Sequence, residues 1–194
     1  MNATVDAKIK KSSERLRDIV WPMAGPSLGG GTLQFVESES GELAEILDRK
    51  AGIDALQVNS VGMRGIASRI QPADRNWKTH TIRYSIYGQN GIDTEYHKRL
   101  RAIHDKEGGY LYPPVTMQAY LDNVTLEPLG IAWIRTAILF EYIEQGCCGD
   151  KYDVRNGRAD WYIQSNKEDG NTFIVVPWQR FEQSGRPIHY IINE

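Results

Sequence analysis

Apolar positions recur at two periods along the chain, and the switches between them mark its predicted elements. In "SESGELAEILDRKAG" (residues 38–52) Leu43, Ile46 and Leu47 share one helical face. Ser38 or Ser40 suits the cap of that helix, Glu39 and Glu42 its positive end, and Gly52 its stop. The runs "IDALQV" and "GIASRIQ", then "THTIRYSIY" with its period of two, predict three consecutive strands. "IDTEYHKRLRAIH" returns to helical spacing through Tyr96, Leu100 and Ile103, ending at Gly108-Gly109. "YPPVTMQAYL" predicts a helix after Pro114, and "PLGIAWIRTAILFEYIEQG" the longest helix, with Pro128 near its first turn and Gly146 as its stop. "RADWYIQS", "NKEDGN" and "TFIVVPW" predict a hairpin whose second strand ends at Pro177.

The expected fold is therefore α/β (α+β): a mixed sheet of three consecutive strands plus a C-terminal hairpin, flanked by helices. Residues 1–20 read as an amphipathic or frayed helix carrying Leu16 and Ile19, and "WPMAGPSLGGG" as a loop. This divides the chain into an N-terminal helix or arm with a glycine-rich loop, residues 1–35, and a single α/β domain, residues 36–194.

Composition adds exclusions. The 194 residues are 41% hydrophobic and 25% charged, as in an ordinary globular domain of one core. No apolar run is long enough to span a bilayer, since "LGIAWIRTAILF" is short and carries Arg135. The polar, basic start lacks the apolar centre of a secretory signal, so a cytoplasmic location is expected. Cys147 and Cys148 are adjacent, without histidines at zinc-site spacing, and read as inert thiols in a turn. Net charge is −2, yet between Gly62 and His104 eight Lys or Arg face three acids. That stretch is a candidate phosphate-facing surface, or else the solvated faces of strands and a helix.

The candidate chemistry lies in "GIDALQVNSVGMRGIASRIQ", residues 52–71. Asp54 opens the first strand of the pair. If Ile70 faces the core, alternation puts Arg69 and Gln71 together on the opposite face of the second. A Mg²⁺ site needs hard oxygen ligands converging from different elements, and Glu42 and Asp54 are the candidate metal ligands. Lys78, His80 and Arg83 on the third strand, and Lys98, Arg99 and Arg101 on the following helix, are candidate nucleic-acid contacts. Plain structural roles compete with each: Arg69 pairing with Glu42 or Asp54, and Glu95–Arg99 and His97–Arg101 pairing along a solvated helix. Trp161, Tyr162, Phe173 and Trp178 in the hairpin suit base stacking or core packing.

An acid-bearing helix, then Gly-Ile-Asp, then a strand ending in a polar-x-polar triplet resembles the PD-(D/E)XK nuclease superfamily, particularly branches written Glu…Gly-Ile-Asp…Gln-x-Lys. The resemblance covers about residues 38–86. It implies a mixed sheet flanked by helices, Mg²⁺-dependent hydrolysis of DNA phosphodiesters, Glu42 and Asp54 on the metal, and Asp54, Arg69 and Gln71 as catalytic residues. Arg69 stands where an acid or amide is expected, and Gln71 lacks the charge of Lys. The expected function is a metal-dependent nuclease or a nuclease-derived nucleic-acid-binding protein of bacterial or mobile-element origin. The rival is a non-catalytic protein-interaction factor, such as a phage-encoded inhibitor, and an isoelectric point of about 6.1 leans toward it.

Overall fold

The computed structural model describes residues 10–36, 46–47, 51–89, 91–105, 111–167 and 169–192. Strands β2 (Ala55–Asn59) and β3 (Gly62–Ala73) form where the two apolar runs lie. A short turn joins them, in which Asn59 Oδ1 accepts the amides of Val61 (3.0 Å) and Gly62 (3.1 Å). β1 (Thr32–Phe35) pairs with the outer edge of β2. The inner edge of β3 pairs in parallel with β5 (Val115–Asp122), which pairs antiparallel with β6 (Pro128–Arg135), and β6 with β10 (His189–Ile192). This six-stranded mixed sheet has the order β1-β2-β3-β5-β6-β10.

A second sheet, in the order β4-β9-β8-β7, comprises β4 (Thr79–Ser85), β7 (Cys148–Gly149), β8 (Trp161–Ser165) and β9 (Thr172–Pro177). The α+β class and the C-terminal hairpin, β8–β9, are as the sequence predicts. The third expected strand, β4, is not the next neighbour of β3. The β3 edge it would need is occupied by β5, and β4 pairs with β9 instead. Side chains meet the other edge of β4: the Thr81 amide donates to Gln118 Oε1 of β5 (3.4 Å) and the Arg83 amide to Glu95 Oε2 (3.3 Å), from a helix outside the sheet.

Two expected helices are corrected. "YPPVTMQAYL" contains β5, and the first half of "PLGIAWIRTAILFEYIEQG" is β6, with helix only over Thr136–Gln145. Both strands lie between neighbours and are buried on both faces, so their apolar runs carry no alternation to tell strand from helix.

Helices cover each sheet. α1 (Trp21–Ala24) continues a π-helical stretch, Leu16–Val20, whose Leu16 and Val20 are buried against Ile66, Ile70, Met117 and Ile131. A helical segment thus replaces the start of the expected loop, with Pro22, which has no amide to donate, just after the π-helical stretch and two residues before the helix ends at Ala24. α2 (Glu95–His104) and α3 (Thr136–Gln145) pack on the second sheet with α5 (Trp178–Gln183), through Ile82, Phe140, Ile143, Ile174, Val176 and Phe181. α4 (Lys151–Arg155) precedes β8 and is capped by a reciprocal Asp150–Asp153 box. No helix among the described residues is long and apolar enough to cross a membrane.

Candidate functional site

Alternation in β3 sends Ile66 and Ile70 into the core beneath Leu16 and Val20, so Arg69 and Gln71 emerge together on the opposite face. That face and the second sheet bound a cleft of about 320 Å³. Arg69, Gln71 and Tyr120 come from the first sheet, Thr79 and Thr81 from β4, Tyr162 and Gln164 from β8, and Phe173 and Val175 from β9.

A glutamine spans the two sheets. Gln118 is 1% exposed; its Nε2 donates to Gln71 Oε1 at 3.0 Å and its Oε1 accepts from Thr81 Oγ1 at 3.1 Å. Tyr120 and Thr79 make a second bridge, with the phenol donating to the Thr79 carbonyl (3.1 Å) and 2.7 Å from its hydroxyl. Burial holds the Tyr120 phenol protonated, its pKa pushed up to about 12. The Arg69 guanidinium lies 4.8 Å over the Phe173 ring while its Nη2 donates to Glu95 Oε1 at 3.0 Å. Burial alone would raise the Glu95 carboxyl, but the guanidinium groups of Arg69, Arg99 and Arg83 outweigh it and hold the pKa at about 2. Arg69 is therefore paired with Glu95.

The mouth of the cleft carries a cation–aromatic stack. Trp77 is 43% exposed, with Arg75 Cζ 4.0 Å and Lys151 Nζ 5.7 Å from its ring centre. Asn76 anchors this loop. Its Nδ2 donates to the Leu129 carbonyl (3.0 Å) and its Oδ1 accepts the Lys78 amide (3.0 Å), while a Cβ on Gly130 would overlap the Asn76 amide group. Lys78 then turns the chain into β4 through a left-handed conformation, φ +51°.

The other expected site residues are spread more widely. Asp54 is half-buried at the end of the β2–β3 ladder, where its Oδ2 accepts the Ser68 amide at 2.5 Å, and it does not line the cleft. Glu42 lies outside the described residues. Lys78 is exposed near the mouth. His80 points into the helical core from the other face of β4, 1% exposed and beside Trp178, its imidazole pushed by burial to about 3. On α2, Lys98 is half-buried, Arg99 is only 4% exposed, and Arg101 is exposed but pairs with Asp93 (2.5 Å). The anticipated His97–Arg101 pairing is thus replaced: His97 Nδ1 lies 3.0 Å from Thr94 Oγ1. Of the four hairpin aromatics, Tyr162 and Phe173 line the cleft, whereas Trp161 and Trp178 pack on the core side.

No family model, curated protein or solved structure matches the chain. The site's chemistry must therefore be argued from its own residues. Among the described residues no three His, Cys, Asp or Glu side chains converge. Of the two carboxylates that the nuclease resemblance assigns to Mg²⁺, the one described, Asp54, is engaged by a backbone amide, and Arg69 cannot ligate a cation. The cleft wall instead offers a guanidinium, amides, hydroxyls and aromatic faces. That is equipment for holding a phosphate and a planar ring.

Trp77, Lys151, Gln118 and Tyr120 did not figure in the sequence reading of the site. For Trp77 a signal existed, an aromatic flanked by Arg75 and Lys78 in a polar loop. Lys151 enters from a helix that follows it by more than seventy positions in the chain.

Proposed function

We propose that this protein binds nucleic acid in the cleft between its two sheets, without metal-dependent cleavage by the described residues. The observation that carries this reading is Trp77, an exposed aromatic face set between Arg75 and Lys151 at the mouth of a cleft whose wall presents Arg69 and Gln71. A single strand suits it better than a duplex. A base stacks on Trp77 or Phe173 only when it is unpaired, and the flanking cations take the adjacent phosphates. The amides of Gln71 and Gln164 offer hydrogen bonds to base edges. The mildly acidic whole chain is no obstacle, because the stretch between Gly62 and His104 carries eight Lys or Arg against three acids.

The test is fluorescence anisotropy with labelled single strands and duplexes, DNA and RNA, across a salt series. Single-strand binding that weakens with salt and is impaired by Trp77→Ala supports the reading. The same samples, incubated with plasmid and Mg²⁺ or Mn²⁺ and with Asp54→Ala as control, test the nuclease expectation: cleavage lost in that variant would replace the binding-only proposal. Absence of salt-sensitive binding would refute it and leave the protein-interaction alternative, for which Val61 and Met63, 93% and 65% exposed at the β2–β3 turn, are the first residues to probe.

A further inference from the structure

Behind the cleft wall one carboxylate, Glu95, contacts Arg69 by its guanidinium and Arg83 by its amide, and Arg99 lies one helical turn away. Glu95 opens α2, its Oε1 accepting from Arg69 Nη2 (3.0 Å) and its Oε2 from the Arg83 amide (3.3 Å). Arg99 is one turn further along the same helical face, 4% exposed, with Nη2 donating to the Gly52 carbonyl at 3.2 Å. One carboxylate thus lies among three arginines and is ion-paired with Arg69, so the cluster keeps an excess of positive charge in a half-buried place. The Nε groups of Arg83 and Arg99 are buried and have no hydrogen-bond partner among the described residues. Buried donors left unmet are costly and rare. The helix start repeats the pattern: Thr94, its N-cap residue, donates its hydroxyl to the Tyr84 carbonyl (3.1 Å), and no side chain caps the first-turn amides.

We propose that this cluster is a phosphate subsite of the cleft, and that Glu95 is an internal stand-in that a ligand phosphate displaces. The inference rests on the reading of the cleft as a nucleic-acid site and names the group bound at its inner end. Arg69 is the shared residue, since it lines the cleft and contacts Glu95. A carboxylate has two oxygens and already uses both. A phosphate brings more acceptor oxygens in a tetrahedral arrangement, so it can keep Arg69 and also reach donors that Glu95 leaves unmet. Glu95 is 28% exposed on its side chain, enough to swing toward solvent as the phosphate enters. In the free protein the same carboxylate offsets the positive charge of Arg69 and of its neighbours Arg83 and Arg99. The subsite is therefore self-inhibited, and its affinity is set by competition with Glu95.

The test uses the full chain, with inorganic phosphate and oligothymidylate with and without a 5′-phosphate as probes. Glu95→Gln should bind phosphate on the order of tenfold more tightly than the natural chain, because a competing negative charge is gone. Glu141→Gln, an equal charge change at an exposed position paired with Arg186, should not alter binding. In the natural chain, the ¹⁵N–¹H signal of the Arg83 amide should shift on phosphate addition as Glu95 lets it go. Unchanged or weaker binding by Glu95→Gln, or an Arg83 signal that stays in place, overturns the proposal. If Glu95→Gln does not fold, the Arg83 signal decides alone. A gain in affinity confined to the 5′-phosphorylated strand assigns the subsite to a terminal phosphate, and equal binding of both strands assigns it to a backbone phosphodiester. Strand binding without any phosphate effect would remove the subsite and leave the cleft reading intact. Phosphate binding without strand binding would do the reverse.

Discussion

Lowering the pH from 7 to 5 should destabilise this protein through one residue, His80. Its imidazole is 1% exposed, and burial, outweighing a backbone contact with Thr116 that acts the other way, depresses its pKa from 6.5 to about 3. A histidine whose folded pKa lies below its unfolded value contributes stability that is fully present above pH 6.5. That stability is lost as the pH falls toward 3, because the unfolded chain takes up a proton that the folded chain refuses. Each pH unit in the steep part of that window is worth about 1.4 kcal/mol. Between pH 7 and 6 the loss is therefore about 0.7 kcal/mol, and between pH 7 and 5 about 2 kcal/mol. His80→Leu supplies the reference: a side chain of similar volume, apolar like its surroundings and unable to titrate. The assay is urea unfolding followed by tryptophan fluorescence at pH 7, 6 and 5, with the stability of the variant subtracted from that of the natural chain so that surface carboxylates cancel. The natural chain should lose about 2 kcal/mol relative to the variant by pH 5. A difference that moves by less than about 0.5 kcal/mol across this range, a fraction of the linkage value, would show that the imidazole is not excluded from water as described.

Four further outcomes follow from the same contacts. Glu95 titrates in a lower window: its folded pKa of about 2 lies below the ordinary 4.5, so the stability it contributes is present above pH 4.5 and lost as the pH falls toward 2, and Glu95→Gln should flatten the acid limb of the unfolding curve there. Gly130→Ala should cost about 1–3 kcal/mol in urea unfolding, because its methyl group collides with the Asn76 amide that anchors the Trp77 loop. Leu16→Ala should cost about 2–5 kcal/mol by the same assay, since Leu16 is 1% exposed in the core against the first sheet; a negligible loss would make the N-terminal segment a detachable arm. Trp77→Ala should weaken single-strand binding by about 1–3 kcal/mol in anisotropy while leaving urea stability nearly unchanged.

Local patterning determined the elements whose two faces differ. β2, β3, β4, α2 and the β8–β9 hairpin each have a core side and a polar side, and their periods are legible in the sequence. The same alternation, applied to Ile70, placed Arg69 and Gln71 on one face, and both line the cleft. β5 and β6 were illegible because burial on both faces erases the period, and Leu, Ile, Ala and Trp in a row serve either element. Pairing was illegible too. Hydrogen bonding between strands is decided by which edges remain open once the chain collapses, and with β5 on the edge of β3, β4 could pair only elsewhere. That single consequence of tertiary structure created the second sheet and the cleft. It also turned His80 inward and gave Arg69 to Glu95. The sequence by itself determined which side chains share a face; only the folded chain decided which faces meet, because that depends on contacts between residues far apart in sequence.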